Sequence, residues 1–380
     1  MNMRWRMVLL SLLFFAACGL VVLLLAEAGL CAWAHWQAEE SRDHVMAGSD
    51  LPVRYRPHYS GVFWNIPFRT NNLGFRDEPD LAEEPQEGEV RVFSLGDSIA
   101  FGLGVPAEAH YSKVAERILD SPGLHVINAG GLGYSPSSYA VWLQKEGLRL
   151  CPRYVVVATE VLNDVSDEAL LRWDGEMEGG PARVVGGRYV TSWDGALLGT
   201  YATRGAWWER TYLYTQLARR GLYLGRRLGL LTGPAHPAYY SLGFDAGLLT
   251  RRRLEEGWRR LEASLAAMYR LCRENSIGFL LLVSPARYIF ESAGSFTEEA
   301  EAAHRRLLGW SARQRIPAVD LAPFLEEAGG AQLYFDFAHL TVEGNRVVGE
   351  VLAGRLREDL ASSDVFEQSC EPLQGETRRP

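Results

Sequence analysis

The sequence predicts an α/β protein, with a parallel sheet between two helical layers, a membrane-spanning helix in front and one insertion within. Three observations point there. Short Val- and Leu-rich runs alternate with stripes of helical period. The links between them are short, which suits strands that run parallel and cross over through helices. Ahead of this pattern, Met7–Ala26 carries no charge and is built mainly of Leu, Val, Phe and Ala.

Taken in order, that uncharged run comes first. Its length as a helix, about 30 Å, matches a bilayer core. Arg4 and Arg6 precede it, and Glu27, Glu39 and Glu40 follow. The excess of positive charge on the N-terminal side places that end in the cytoplasm and the rest outside. A cleaved signal peptide and a lipoprotein acylated at Cys18 are alternatives. The apolar run is long for the first, and Phe15-Ala16-Ala17-Cys18 is a poor acylation signal. The anchor is assigned to 1–30 and a linker or extension to 31–88, because Asp77–Gly88 is acidic and contains Pro.

From Val90 the α/β rhythm begins. Val90–Leu95 is a short buried strand. Tyr111, Val114, Ala115, Ile118 and Leu119 form a helical stripe that Pro122-Gly123 ends. His125–Asn128 and the Val-rich Tyr154–Ala158 read as strands, separated by a helix capped by Ser137 and stopped at Gly147. Leu254, Trp258, Leu261, Leu265, Met268 and Cys272 mark a long helix before the strand Phe279–Val283. Glu301–Trp310 reads as helix, Ala318–Leu321 as extended, and Thr341 caps a last helix to about Leu360. Residues 165–250 break the rhythm. They hold a hairpin at Val184–Val190 on a Gly-Gly turn and a helix over Thr211–Leu231, and they read first as a cap over the strand ends, with a membrane-facing amphipathic helix and a solvated insertion as the alternatives. The main domain spans 89–362, followed by a polar tail over 363–380.

Composition bounds the partners. The 380 residues, 47% hydrophobic, suffice for one large α/β domain with an extension. A net charge of −8 without a basic tract argues against a nucleic-acid partner. The five cysteines, at 18, 31, 151, 272 and 370, have no zinc or redox spacing, and Cys151–Cys272 or Cys272–Cys370 are both open as disulfides. No metal or cofactor is expected.

Ser98 follows the first strand in Leu95-Gly96-Asp97-Ser98, and Asp336 lies three residues before His339. A hydroxyl at a strand end with a distant Asp-x-x-His supplies a nucleophile, a base and a group to orient the base. A serine is a poor nucleophile until a base takes its proton, and imidazole does so near neutral pH. The small residues at 130, 131 and 133 let backbone N–H groups approach a substrate oxygen. Asn163 offers a neutral donor. Asp97 reads as a loop-stabilising acceptor and Asp164 as structural. Arg69, Arg76 and Arg287 could meet an anionic substrate but suit ion pairs better. Trp142, Trp207, Trp208 and Tyr134 could stack on sugar rings but suit core packing better.

Four blocks stand in order: Gly96-Asp97-Ser98, Asn128 to Ser135, Leu162-Asn163-Asp164, and Asp336-x-x-His339. Over about residues 90–360 this resembles the SGNH, or GDSL-type, hydrolase superfamily. The resemblance implies a flavodoxin-like three-layer α/β/α fold and makes Ser98 the nucleophile, His339 the base and Asp336 its orienter. It also implies an oxyanion hole made by the Ser98 and Gly133 amides and the Asn163 side chain. Block three usually opens with Gly, and here that position is Val161. Arg69-Thr70-Asn71-Asn72-Leu73-Gly74-Phe75-Arg76 is similar to membrane-linked members associated with bacterial cell-surface polysaccharide.

The expected function is hydrolysis of an acyl ester, such as O-acetyl, on a glycan or lipid outside the cytoplasmic membrane. An O-acyltransferase using the same acyl-enzyme and a non-catalytic glycan-binding envelope component are the alternatives. The full-length chain should stay with membranes through a high-salt wash, and a reporter fused after Ala26 should report an extracytoplasmic location. A shortened form released to the soluble fraction would instead establish signal cleavage.

Overall fold

The computed structural model describes residues 3–40, 45–46, 54–63, 66–132, 134–170, 184–185, 188–189, 251–291, 295–336 and 338–362. The chain divides into two units, one containing the N-terminal helix and the other the sheet.

In the first unit, α1 spans Met3–Glu40. Its stretch Arg6–Leu30 is long and apolar enough to cross a membrane, a property that an anchor and a signal sequence share.

The second unit opens with β1 (Val45–Met46) paired to β2 (Arg54–Tyr55), then an antiparallel pair, β3 (Ser60–Phe63) and β4 (Ile66–Arg69). The main elements follow as β5 (Val90–Leu95), α2 (Ser98–Phe101), α3 (Tyr111–Leu119), β6 (Leu124–Asn128), α4 (Pro136–Lys145), β7 (Tyr154–Glu160) and α5 (Val161–Leu170). The small pair β8 (Val184–Val185) and β9 (Arg188–Tyr189) is the hairpin expected there. Then come α6 (Arg251–Glu274), β10 (Gly278–Ser284), α7 (Ser295–Gln314), β11 (Ala318–Asp320), α8 (Ala322–Glu327) and α9 (Val342–Ser362).

Five strands form one parallel sheet in the order β11-β10-β7-β5-β6. The chain moves outward from β5 to β6, then returns to the other side of β5 to place β7. This is the flavodoxin-like doubly wound order, and its direction reverses between β5 and β7. Loops leave the carboxyl ends of those two strands in opposite directions, which opens a crevice there.

Alternation along each strand builds two cores. Phe93, Leu95, Val155, Val157, Leu281 and Val283 face Trp142, Leu261, Leu265, Met268 and Trp310 from α4, α6 and α7. Val92, Val126, Val156, Ala158, Leu280 and Leu282 face Tyr111, Ala115, Leu325, Val348, Leu352 and Leu356 from α3, α8 and α9. The sheet is therefore covered on both sides.

Helix boundaries moved where caps compete. α4 starts at Pro136, one residue before the expected Ser137 cap, because proline lacks the N–H that the first turn leaves without a partner. Thr341 caps α9 as expected, with its Oγ accepting Gly344 N–H at 3.2 Å. α5 was not expected. Residues 165–170, read as the start of the insertion, complete this helix. Its polar Leu162-Asn163-Asp164 start reads as a turn, but Val161 and Val165 join the core. The rest of the expected cap, including Thr211–Leu231, lies outside the described residues, as does the tail.

Asp77–Gly88, expected as a linker, is anchored at its beginning. Asp77 and Leu81 are buried. Asp77 accepts Asn128 N–H at 3.1 Å and pairs with Lys113 at 2.8 Å. The acidic residue serves as a buried acceptor, a use that composition does not reveal. Cys272 is a free, buried thiol whose pKa burial pushes up to about 12, so neither disulfide considered above forms. Cys151 is disulfide-bonded.

Candidate active site

Ser98 is the first residue of α2, at the carboxyl end of β5. Asp97 caps the helix, its Oδ1 accepting Ile99 N–H at 2.8 Å. Gly102 ends it in the left-handed conformation at φ 78°. As the first helical residue, Ser98 has no intrahelical acceptor for its own N–H.

His339 reaches this serine from the other end of the chain. Its Nε2 lies 2.8 Å from Ser98 Oγ, and its Nδ1 lies 2.6 Å from Asp336 Oδ2. The other Asp336 oxygen accepts the N–H groups of Ala338 and His339 at 2.9 and 2.8 Å. Burial pushes the Asp336 pKa up, but the bonds from His339 and the two backbone donors outweigh it and leave the group below the usual carboxylate range. An ionised carboxylate only accepts, so His339 Nδ1 is the donor and Nε2 is left to accept from Ser98. Phe335, 42% exposed, stacks on the imidazole with ring centroids 5.6 Å apart. Sequence reading missed it, since its position beside Asp336 says nothing about what its ring covers.

Asn128 to Ser135 wraps against α2. A Cβ on Gly130 would sit 2.3 Å from Phe101 N and 2.4 Å from Ala100 C, so only glycine fits there. The loop is tied down by its own N–H groups: Ala129 to Ser94 O, Gly130 to Asn128 Oδ1, Gly131 to Gly96 O, Leu132 to Tyr55 Oη, and Tyr134 to Gly131 O. Gly133 lies outside the described residues.

Asn163 sits in the first turn of α5, beyond the carboxyl end of β7. Glu160 accepts its backbone N–H at 2.8 Å. Its side-chain amide donates to Asp97 Oδ2 at 2.7 Å and Asp167 Oδ2 at 3.3 Å. Asp97 thus joins α2 to Asn163, the stabilising part expected of it, while the carboxylates engage both amide N–H groups. Val161, in place of the usual glycine, is a core residue of α5.

Behind these groups is a set of buried acids that sequence reading did not assemble. Asp97, Glu160, Asp164, Asp167 and Glu168 are each no more than 3% exposed. Asp164 accepts the Tyr139 hydroxyl at 2.7 Å, and Glu168 accepts Ser137 N–H at 2.7 Å. Burial is the leading cause that raises the pKa of all five, and mutual repulsion adds to it for Asp97's neighbours Glu160, Asp164 and Asp167. Glu160 is pushed up to about 8.

Two of the arginines considered for an anionic substrate, Arg76 and Arg287, are committed elsewhere, and Arg69 is exposed. Buried Arg76 donates to three backbone carbonyls, Arg69 lies 3.9 Å from Glu78, and Arg287 pairs with Glu291 at 3.0 Å. Trp142 and Tyr134 are core residues, and Trp207 and Trp208 lie outside the described residues.

No protein-family model and no curated protein sequence matches the chain. Solved structures do. A lipolytic protein of the G-D-S-L family from Desulfitobacterium hafniense is 12% identical over 70% of this chain and 99% of its own, with a TM-score of 0.38. A GDSL-like lipase from Bacteroides thetaiotaomicron is 13% identical over 73% and 93%, with a TM-score of 0.39. An acetylxylan esterase from Geobacillus stearothermophilus is 12% identical over 75% and 97%, with a TM-score of 0.40.

The raised acid has a consequence for stability. A carboxyl that binds its proton more tightly when folded makes the fold weaken as pH rises from the unfolded pKa to the folded one. For Glu160 that window runs from 4.5 to about 8. The thermal midpoint should fall across it, and Glu160→Gln should flatten the fall. An unchanged slope in the variant would show that Glu160 is not the group responsible. The solved structures that this chain is similar to are thus described as a lipolytic protein of the G-D-S-L family, a GDSL-like lipase and an acetylxylan esterase.

Proposed function

We propose that the protein is a serine esterase that hydrolyses acyl esters through Ser98, His339 and Asp336. The observation that carries this reading is the continuous relay from Asp336 to His339, at 2.6 Å, and from His339 to Ser98 Oγ, at 2.8 Å across 241 positions in sequence. A decaying site would not need to keep three side chains in that alignment.

In this mechanism Ser98 Oγ attacks the ester carbonyl as His339 Nε2 takes its proton. Asp336 holds the imidazole in the receptive tautomer and stabilises the imidazolium. The tetrahedral oxyanion is met by the Ser98 N–H, by Gly133 N–H and by the Asn163 amide. Gly133 is carried over from the resemblance of the Asn128 to Ser135 block. For Asn163 to take part, its amide must exchange a carboxylate for the oxyanion, and the longer bond to Asp167 is the one to give way. His339 then protonates the leaving alcohol, and water, activated by the same base, releases the acid from the acyl-enzyme.

The substrate we infer is an acyl ester, such as O-acetyl, on a glycan or lipid of the cell envelope. The apolar α1 would hold the catalytic domain to the outer face of the cytoplasmic membrane, and the Cys151 disulfide suits an oxidising compartment.

Ser98→Ala should leave the fold intact and lower turnover of a short-chain aryl ester by about 10⁴-fold or more. Wild-type turnover by the folded variant would remove the assignment. Asn163→Ala should lower kcat by about 10²–10³-fold with a smaller change in KM, because the oxygen it meets becomes negative only in the transition state. Asp164→Ala is the control and should act mainly on the thermal midpoint. Unchanged kcat in Asn163→Ala would exclude it as an oxyanion donor.

A further inference from the structure

We propose that Tyr55, in the segment that precedes the hydrolase-like domain, is a positioning residue that sets the oxyanion loop through its bond to Leu132 N–H. The inference rests on the esterase reading above and assigns to that site a residue that lies outside all four blocks.

Tyr55 is 6% exposed, and its Oη accepts Leu132 N–H at 2.8 Å. Leu132 is the residue before Gly133. Other described donors of this loop bond within the framework of the sheet and the loop itself: Ala129 to β5, Gly130 to Asn128, Gly131 to Gly96, Tyr134 to Gly131. Among the described residues, Asn128 at the start of the loop, through Asp77, and Leu132, beside Gly133, are held from outside that framework. The position of the Leu132 N–H therefore depends on where the tyrosine oxygen is.

That oxygen is well fixed. The Tyr55 ring packs edge-on against Phe68 at 5.5 Å and tilted against Phe101 at 5.3 Å. Phe101 is the last residue of α2, the helix that carries Ser98 at its start. One side chain thus touches the nucleophile helix with its ring and the oxyanion loop with its hydroxyl. Burial pushes the Tyr55 pKa far above the usual phenol range, so the group stays a neutral acceptor at any pH the protein meets.

The same segment grips α2 a second time. Arg76 Nη1 donates to Phe101 O at 2.9 Å and Gly102 O at 2.6 Å, and Nη2 to Val105 O at 2.6 Å, with its guanidinium 5.0 Å from the Phe101 ring centroid. A cation on the last carbonyls of the helix satisfies acceptors that have no helical partner. Asn71 shapes the turn that delivers Arg76, its Oδ1 accepting the N–H groups of Leu73 and Phe75 at 3.0 Å. The Arg69–Arg76 motif thereby acquires a role: it clamps the site from behind rather than meeting substrate.

Tyr55→Phe removes one oxygen and keeps the ring. In the full-length protein, kcat should fall by about 10- to 100-fold, less than or comparable to deleting an oxyanion donor outright, while KM changes far less. An alkyl boronic acid, which forms a tetrahedral anionic adduct on Ser98, should lose affinity by the same factor. A role confined to folding would lower the thermal midpoint and leave boronate affinity and kcat untouched well below it. Wild-type kcat in Tyr55→Phe, or a lower kcat with unchanged boronate affinity, overturns the inference. If Tyr55→Phe does not fold, 3-fluorotyrosine at position 55 keeps the ring and weakens the acceptor, and the same two readouts should move together by a smaller factor. Full activity in Ser98→Ala would instead defeat the esterase reading, so the two failures are distinct.

Discussion

The hydrogen bonds of Asp97 hold the candidate site together. One oxygen caps α2 at Ile99 N–H, and the other holds the Asn163 amide on α5. These two helices follow β5 and β7, the strands between which the sheet changes direction. The sheet brings their ends side by side, but it does not orient a serine hydroxyl against an amide. A single buried carboxylate with both oxygens engaged supplies that alignment, and its low-dielectric surroundings make each bond stronger than it would be in water.

The cost of this arrangement is visible next to it. Glu160, Asp164, Asp167 and Glu168 crowd the same interior, where burial favours their protonated forms. Buried acids whose protonated forms burial favours can hold an amide in place without the full cost of buried charge. Asp336 contrasts with them. It is one-third exposed, accepts two backbone N–H groups and pairs with His339, so it stays ionised. The same residue type thus has its acidity shifted in opposite directions about the same serine, set by solvation and donors.

The front of the domain is equally part of this construction. Residues between β2 and Leu81 lock into the domain through Tyr55, Asn71, Arg76 and Asp77, each of which spends its polar atoms on backbone groups of the sheet domain or of the segment itself. Backbone polar groups at helix ends and loops need partners when buried. Here the segment ahead of the sheet provides them.

Local pattern was enough for much of this. Alternating apolar runs located all five strands of the main sheet, since a strand buried on both faces must be nearly continuous in Val and Leu. Helical stripes located α3 and α6 by their periodicity, and the Thr341 cap located α9. Chain order of the blocks also singled out Ser98, Asp336 and His339. What depended on the fold were partners distant in sequence. The polar start of α5 reads as a turn because its helix is stabilised by packing of Val161 and Val165. The linker reading of Asp77 failed because an acceptor 51 residues from its donor leaves no local trace. The Asn163 amide was legible as a donor, but only the tertiary structure decided that two carboxylates hold it, and that Tyr55 reaches Leu132. A sequence records which groups can donate or accept, whereas the chain's return path decides which of them meet.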